Sequence, residues 1–273
     1  LVSTDAGVMP IRDIGSSGTI GTVAGPAAYC RPVVYNDRPL LTVTTDGGYE
    51  ITVTRDHKMM AWTDDGYAEV PAEQLAVGQR LRLSLASGVE PIRLVELPGP
   101  PLVNVRAEVY SLPDRMSREL SEFLGLMVAD GTIFSRGFRL GKAYRDTRDR
   151  FAALVRLLFG CEPKLYEKSG MYVAEVSSVF LAKWLRTLGG LDPHRKSVPE
   201  CVMRSASGDH AAFLRGLFED AAINIKRGNV LDHIALSTEY ETLAKTAQVL
   251  LLRLGYISRR FVALGSIWRV DLY

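Results

Sequence analysis

Phe123-Leu124-Gly125-Leu126-Met127-Val128-Ala129-Asp130 lies without a gap over Phe213-Leu214-Arg215-Gly216-Leu217-Phe218-Glu219-Asp220, ninety residues further on. Both octets read as an apolar helix that ends in an acid. The match continues outward: Ile133 falls on Ile223, Arg136 on Lys226, and an amphipathic helix stopped at Gly160 on one stopped at Gly255. Each copy is therefore predicted to be helix, acidic residue, β-hairpin, amphipathic helix. A solenoid stacks more copies, so two copies predict one domain with pseudo-twofold symmetry.

Around the repeat the sequence alternates helices and short strands. Helical spacing runs through Leu120, Phe123, Leu124, Met127 and Val128, and again through Phe151, Leu154, Val155 and Leu158. Phe180, Leu181, Trp184, Leu185 and Leu188 predict another helix with Gly189 just past its end. Leu243, Ala247, Leu250, Leu251 and Leu254 predict a later one, with Thr238 and Glu241 at capping-box spacing before it. No motif is readable in residues 162–209. The first 110 residues look different: Leu41 and Val43, then Asp46-Gly47-Gly48, then Tyr49, Ile51 and Val53 alternate like a hairpin with glycine at its turn. Short apolar pieces follow at 60–62, 67–70, 81–85 and 92–97, and Pro98-Gly99-Pro100-Pro101 breaks the pattern. The expected division is a β-rich domain at 1–112 and an α+β domain at 113–273.

Charge divides the same way. Residues 1–114 hold 9 Lys and Arg against 14 Asp and Glu (−5), and the remainder holds 24 against 17 (+7), giving the overall +2. A basic half suits a polyanionic partner. Hydrophobic residues at 47% and charged residues at 23% are ordinary for a globular chain, and no apolar run is long enough to span a bilayer, so no membrane partner is expected. No basic-then-apolar leader opens the sequence, and Cys30, Cys161 and Cys201, odd in number and far apart, suit a reducing cytoplasm.

An acid closing an apolar helix is electrostatically misplaced. The negative end of the helix dipole faces it at a cost of about 0.3–1 kcal/mol, and a second such acid alongside adds repulsion. A divalent cation removes both conflicts, and it can also lower the pKa of an attacking water beside a phosphodiester. Gly125 would let two helices approach closely, and Gly131 suits a left-handed residue after Asp130.

The stretch FLGLMVADG at 123–131 closely resembles the LAGLIDADG motif of homing endonucleases, and FLRGLFEDAAI at 213–223 resembles the second motif of its two-motif form. The resemblance implies pseudo-twofold αββα repeats, cleavage of double-stranded DNA with Mg2+ or Mn2+, and a monomer that supplies both halves of the site. It implies Asp130 and Asp220 as catalytic metal ligands, with Glu219 as the fallback acid. Two registers remain open for the second motif: the gap-free one selects Asp220, and aligning Gly216 with Gly125 selects Ala221, which would remove a ligand. The hairpins after each motif would lie on DNA, with Arg136, Arg139, Lys142, Arg145, Lys226, Arg227 and His233 as groove and phosphate contacts. Lys164 and Arg259, after the two later helices, would help position the attacking water.

The N-terminal half resembles an intein. Gly48-Tyr49-Glu50-Ile51-Thr52-Val53-Thr54-Arg55-Asp56-His57 is similar to the intein segment that ends a strand in Thr-x-x-His. Residues 1–14 and 72–81 are similar to the segments flanking it. The resemblance implies the β-rich horseshoe Hint fold, protein splicing between host exteins, and catalytic roles for Thr54 and His57 in an N-terminal acyl shift; a histidine titrates near neutrality and suits that proton transfer. It also implies a Cys or Ser nucleophile upstream of Leu1 and a His-Asn pair beyond Tyr273, so this polypeptide is expected to need more chain to splice. The phrase at 218–237 is similar to inteins of ribonucleotide reductases. The alternative function is a splicing element whose endonuclease has decayed and only binds DNA.

Overall fold

The computed structural model describes residues 1–22, 24–85, 89–92, 94–102, 108–226, 230–263 and 265–273, apart from the side chains at 226, 230 and 231. In the N-terminal half, β1 (Val2–Thr4), β2 (Gly7–Met9), β3 (Ser17–Thr22) and β4 (Gly25–Cys30) form an antiparallel sheet in the order β2-β1-β3-β4. Two hairpins follow, β5 (Leu40–Thr44) with β6 (Glu50–Thr54) and β7 (Lys58–Thr63) with β8 (Gly66–Pro71). Leu41 faces Val53 and Val43 faces Ile51, the register the alternation predicts, and Gly48 turns the chain at φ +78°. No single ladder joins the sheet and the hairpins among the described residues.

Two predicted β pieces make isolated bridges, not strands, among the described residues. Leu81 makes an isolated bridge to Ala61, and in the 92–97 piece Glu96 bridges Arg115. The apolar side chains of that second piece are used elsewhere: Val95 and Leu97 pack against the C-terminal core, and the backbone bonds of Met116 to Val95 and Leu97 to Asp114 hold them there. Tyr110 and Leu112 join the same core, so residues ahead of position 113 pack with the α+β half.

That half begins with α1 (Arg118–Asp130), capped by the Ser117 side chain, which accepts from Leu120 N at 3.2 Å. It continues through β9 (Thr132–Phe134), β10 (Gly137–Lys142), α2 (Arg145–Phe159), β11 (Lys164–Lys168), β12 (Met171–Val176) and α3 (Val179–Thr187). After α4 (Glu200–Met203) the plan repeats as α5 (Ser207–Leu217), β13 (Ala222–Lys226), β14 (Val230–Thr238), α6 (Glu241–Arg253), β15 (Ser258–Val262) and β16 (Trp268–Leu272). The sheets are ordered β9-β10-β12-β11 and β13-β14-β16-β15, so equivalent strands hold equivalent places. Each repeat is thus αββαββ; the expected αββα unit lacked the second hairpin. In the first repeat that hairpin, β11–β12, lies within residues 162–209, where no motif was readable.

The two repeats fill their cores differently. Phe123 stacks on Phe151 at 5.2 Å, with Phe138 and Phe159 around them and Trp184 5.9 Å from Phe159. The second repeat relies on aliphatic residues such as Leu236, Leu243, Leu250 and Val270, all buried. Fully burying such a side chain contributes about 1.5–3 kcal/mol.

The centre of the domain is the contact of α1 with α5. A Cβ on Gly125 would strike the Phe213 carbonyl oxygen and lie 2.9 Å from Leu217 N; one on Gly216 would strike the Glu122 oxygen and lie 2.8 Å from Leu126 N. Gly125 is therefore the geometric partner of Gly216, one residue out of step with the gap-free register. Gly131 departs from expectation too: its φ is −66°, and glycine is needed because a Cβ would sit 2.6 Å from Met127 backbone atoms. The expected capping box before α6 does not form. Tyr240 is the N-cap, and Thr238 Oγ1 accepts from Tyr240 N at 3.2 Å.

The β5–β6 turn docks on the second repeat. Arg260, almost fully buried, donates to Gly48 O at 2.5 Å and Glu50 Oε1 at 2.6 Å, and Gln248 donates to Gly47 O at 2.8 Å. Arg253 donates to Ser3 Oγ at 2.5 Å and Val89 O at 2.8 Å. Among the described residues no helix is long and apolar enough to cross a membrane.

Candidate active site at the axis of the helix pair

Close packing at Gly125 and Gly216 brings the ends of α1 and α5 side by side. Asp130 is the last residue of α1. On the other side α5 stops at Leu217, and a turn closed by Ala221 N to Phe218 O at 3.0 Å carries Asp220 to the axis. That turn reconciles the two sequence registers. Gly125 matches Gly216 in the helices, which would align Asp130 with Ala221, yet Asp220 is the acid that reaches its partner.

Lys142 joins them. It is the last residue of β10, where Phe138, Leu140 and Lys142 alternate inward and Arg139 points out. Its ammonium donates to Asp130 Oδ2 at 2.6 Å and to Asp220 Oδ2. The Lys142 side chain is 1% exposed, while those of Asp130 and Asp220 are 45% and 48% exposed. The two carboxyls are also within hydrogen-bonding reach of each other. Burial opposes ionisation of both, but Asp130 is held below the ordinary range by its bonds to Asp220 and Lys142. Asp220 is pushed above it, by burial and then by its hydrogen bond with Asp130.

Lys196 is a second cation that sequence reasoning missed. It donates to Ala129 O at 2.9 Å, satisfying a terminal carbonyl of α1 beside Asp130. Burial pulls its pKa down, and Asp130 pulls it back up. Lysine in a motif-free loop gives no sequence signal of this placement. Glu122 was missed as well: buried one turn before Gly125, it binds Arg150 at 2.6 Å and also Arg215. Burial would raise its pKa, and the two guanidinium groups outweigh that and hold it low.

Glu219 turns away from the axis to accept from Thr147 Oγ1 at 2.7 Å. Among the described residues no three His, Cys, Asp or Glu side chains cluster as a metal site. Arg136 and Arg139 are exposed on the first sheet's turn and outer face. Arg145 is exposed and 3.6 Å from Asp149. His233 is half-buried in a chain with Asp232, Arg269 and Asp271, where Arg269 reaches its Nε2 at 2.5 Å. Arg227 and the side chain of Lys226 lie outside the described residues. Lys164 lies over the Tyr166 ring at 5.6 Å and Arg259 over Phe261 at 5.8 Å.

In the N-terminal half, Thr54 ends β6 and His57 follows in a tight turn, with His57 N donating to Thr54 O at 3.1 Å and Ala72 N to His57 O at 2.9 Å. The His57 side chain is exposed. Thr54 also lines an open depression of about 680 Å³ with Tyr35, Asn36, Asp37, Arg38 and Leu40. Val2 lies in the four-stranded sheet and Thr54 in a separate hairpin.

Residues 209–268 match the LAGLIDADG-like domain. Across most of its length the chain is similar to the DNA gyrase A protein of Mycobacterium kansasii, 26% identical over 256 residues, which is 90% of this chain and 43% of that protein. It is 25% identical to the DNA gyrase A protein of Mycobacterium leprae over 81% of this chain and 17% of that protein. The chain therefore spans less than half the length of these curated relatives. Among solved structures, I-DmoI in complex with DNA and Mn shares 13% identity at a TM-score of 0.43, covering 57% of this chain and 89% of the other. Full-length DUF199/WhiA from Thermatoga maritima shares 17% identity at a TM-score of 0.40, covering 57% of this chain and 51% of the other. The second repeat thus carries a LAGLIDADG-like domain, on an α+β fold of two equivalent halves.

Proposed function

We propose that this chain is a site-specific endonuclease of the homing type that cuts double-stranded DNA with Mg2+ or Mn2+. Its β-rich half would be part of an intein splicing domain, and the host polypeptide a gyrase A-like protein. The observation that carries the nuclease reading is the meeting of Asp130 and Asp220 across the axis of two matching repeats. The donor set fits a hard cation: two half-exposed carboxylates, one ending α1 and one in the turn after α5, offer oxygens, and magnesium keeps most of its waters and takes phosphate oxygens for the rest. Such an ion, held by Asp130 and Asp220, would lower the pKa of a water and offset charge on the scissile phosphate.

The chain's own groups would do the positioning. Asp130 and Asp220 orient water toward one phosphate on each strand. Lys142 and Lys196 hold positive charge beside the anionic backbone. Arg136 and Arg139 on the first sheet, with Arg259 and Arg269 on the second, would grip phosphates on either side. A monomer supplies both halves. The splicing role rests on the resemblance around Thr54 and His57 and on the similarity to gyrase A along most of the chain.

One observation favours a second reading, DNA binding without cleavage: Lys142 already pairs with both carboxylates, and Ala221 stands where helix register alone would place the second acid. Nicking of a supercoiled plasmid library in Mg2+ separates the two. The endonuclease reading expects site-specific nicks from the wild type and none from Asp130→Ala or Asp220→Ala. Equal inertness of all three, with DNA binding retained, would move the function to the second reading.

A further inference from the structure

We propose that Lys142 is a built-in counter-cation that closes the centre to divalent metal until DNA arrives; this rests on the endonuclease reading. A buried ammonium is costly unless paired, and Lys142, with 1% of its side chain exposed, is paired to both axial carboxylates. Among the described residues the second repeat does not duplicate the arrangement. Lys142 stands two residues before Tyr144, the N-cap of α2; the equivalent place, two residues before the Tyr240 N-cap of α6, is Thr238. One ammonium therefore serves both halves.

Charge balance gives the mechanism. Asp130 and Asp220 contribute two negative charges, and Lys142 with Lys196, whose ammonium caps Ala129 O at 2.9 Å, contributes two positive ones. A divalent ion added to that neutral group would leave two charges in excess and would meet the Lys142 ammonium where the carboxylates point. DNA phosphates resolve both conflicts: they bring negative charge, and they offer Lys142 a new partner within the swing of its flexible four-carbon stem. Metal and DNA then enter together, and the free protein is spared a loaded nuclease centre.

The experiment measures Mn2+ binding to the full chain without DNA, by loss of the free-ion paramagnetic signal, in wild type, Lys142→Met and Lys142→Gln. Tightening of about tenfold or more in both variants is expected, abolished when Asp130→Asn is added. About 1 equivalent of a random duplex should tighten Mn2+ binding to wild type and change it little in Lys142→Met. Equal or weaker Mn2+ binding in the variants would overturn the proposal. So would a variant that stays unfolded in saturating Mn2+, because an ion fitting that place should restore the paired carboxylates. Site-specific nicking by the wild type together with unchanged Mn2+ binding in the Lys142 variants would sink the counter-cation role and leave the nuclease reading standing; tightened Mn2+ binding without any nicking would do the reverse.

Discussion

The two repeats share a strand order and a glycine-to-glycine helix contact, yet among the described residues only the first brings lysine to the axis. Lys142 and Lys196 both come from the first repeat's side, before α5 begins, while the second contributes Asp220 from a turn and Thr238 in the place of Lys142. Their outer supports differ as well. The first repeat has an aromatic core and donates from Trp184 and Lys183 to the Pro98 and Leu102 carbonyls; the second is clamped to the β5–β6 turn through Arg260 and Gln248. Backbone symmetry has been kept where two helices must touch, and side-chain symmetry has been lost where charge must be balanced once.

The sharpest way to break this comparison is at the symmetric contact. Gly125→Ala and Gly216→Ala each force a methyl group onto a backbone carbonyl that cannot swing aside. Each should cost about 3 kcal/mol, by urea denaturation, and the two losses should be similar. A large loss at one glycine alone would show that the helices do not cross as a pair.

An asymmetric effect of nearly the same size is expected at His210. On α5, its Nε2 pairs with Val202 O of α4 at 2.9 Å, whereas its helix-register counterpart Glu119 is only half-buried. Burial, with Arg253 adding to it, pulls the His210 pKa from 6.5 to about 4. Between those values the unfolded chain takes up a proton that the folded chain refuses. Stability should therefore fall as pH drops through this window, by about 3 kcal/mol in all. His210→Gln should flatten that dependence in denaturation curves run from pH 7 to pH 4, at a cost in stability near neutrality.

The smallest effect concerns the two sheets. Arg139 is exposed beside Tyr166, whereas Arg269 is already tied to Asp271 at 2.6 Å and to His233. Arg139→Ala should reduce the slope of log affinity against log salt for duplex DNA by about 1, and Arg269→Ala by less. Equal reductions would mean that the second sheet's ion pairs open on DNA.

Sequence periodicity made the repeat legible because it is written in glycines and apolar spacing, which local rules decode. Asp130 and Asp220 were visible for the same reason. The side-chain partners were not. Lys142 looked like any basic hairpin residue, since nothing local distinguishes an inward lysine from an outward one until strand register is known. Lys196 depends on a loop folding back across α1, and Glu122 on two arginines from different helices. The one-residue slip between helix and strand registers was hidden because the turn at 218–220 leaves no punctuation of its own. The second hairpin of each repeat was missed because Lys164–Lys168 mixes charge with single apolar residues at a sheet edge, where burial does not enforce alternation.

The most direct test of the axial centre is anomalous scattering from manganese in crystals grown with a DNA target selected by binding. The account predicts a peak between the Asp130 and Asp220 carboxylates beside a phosphate, with the Lys142 ammonium moved off both. Manganese bound elsewhere, or DNA lying on a face remote from those two aspartates, would contradict it.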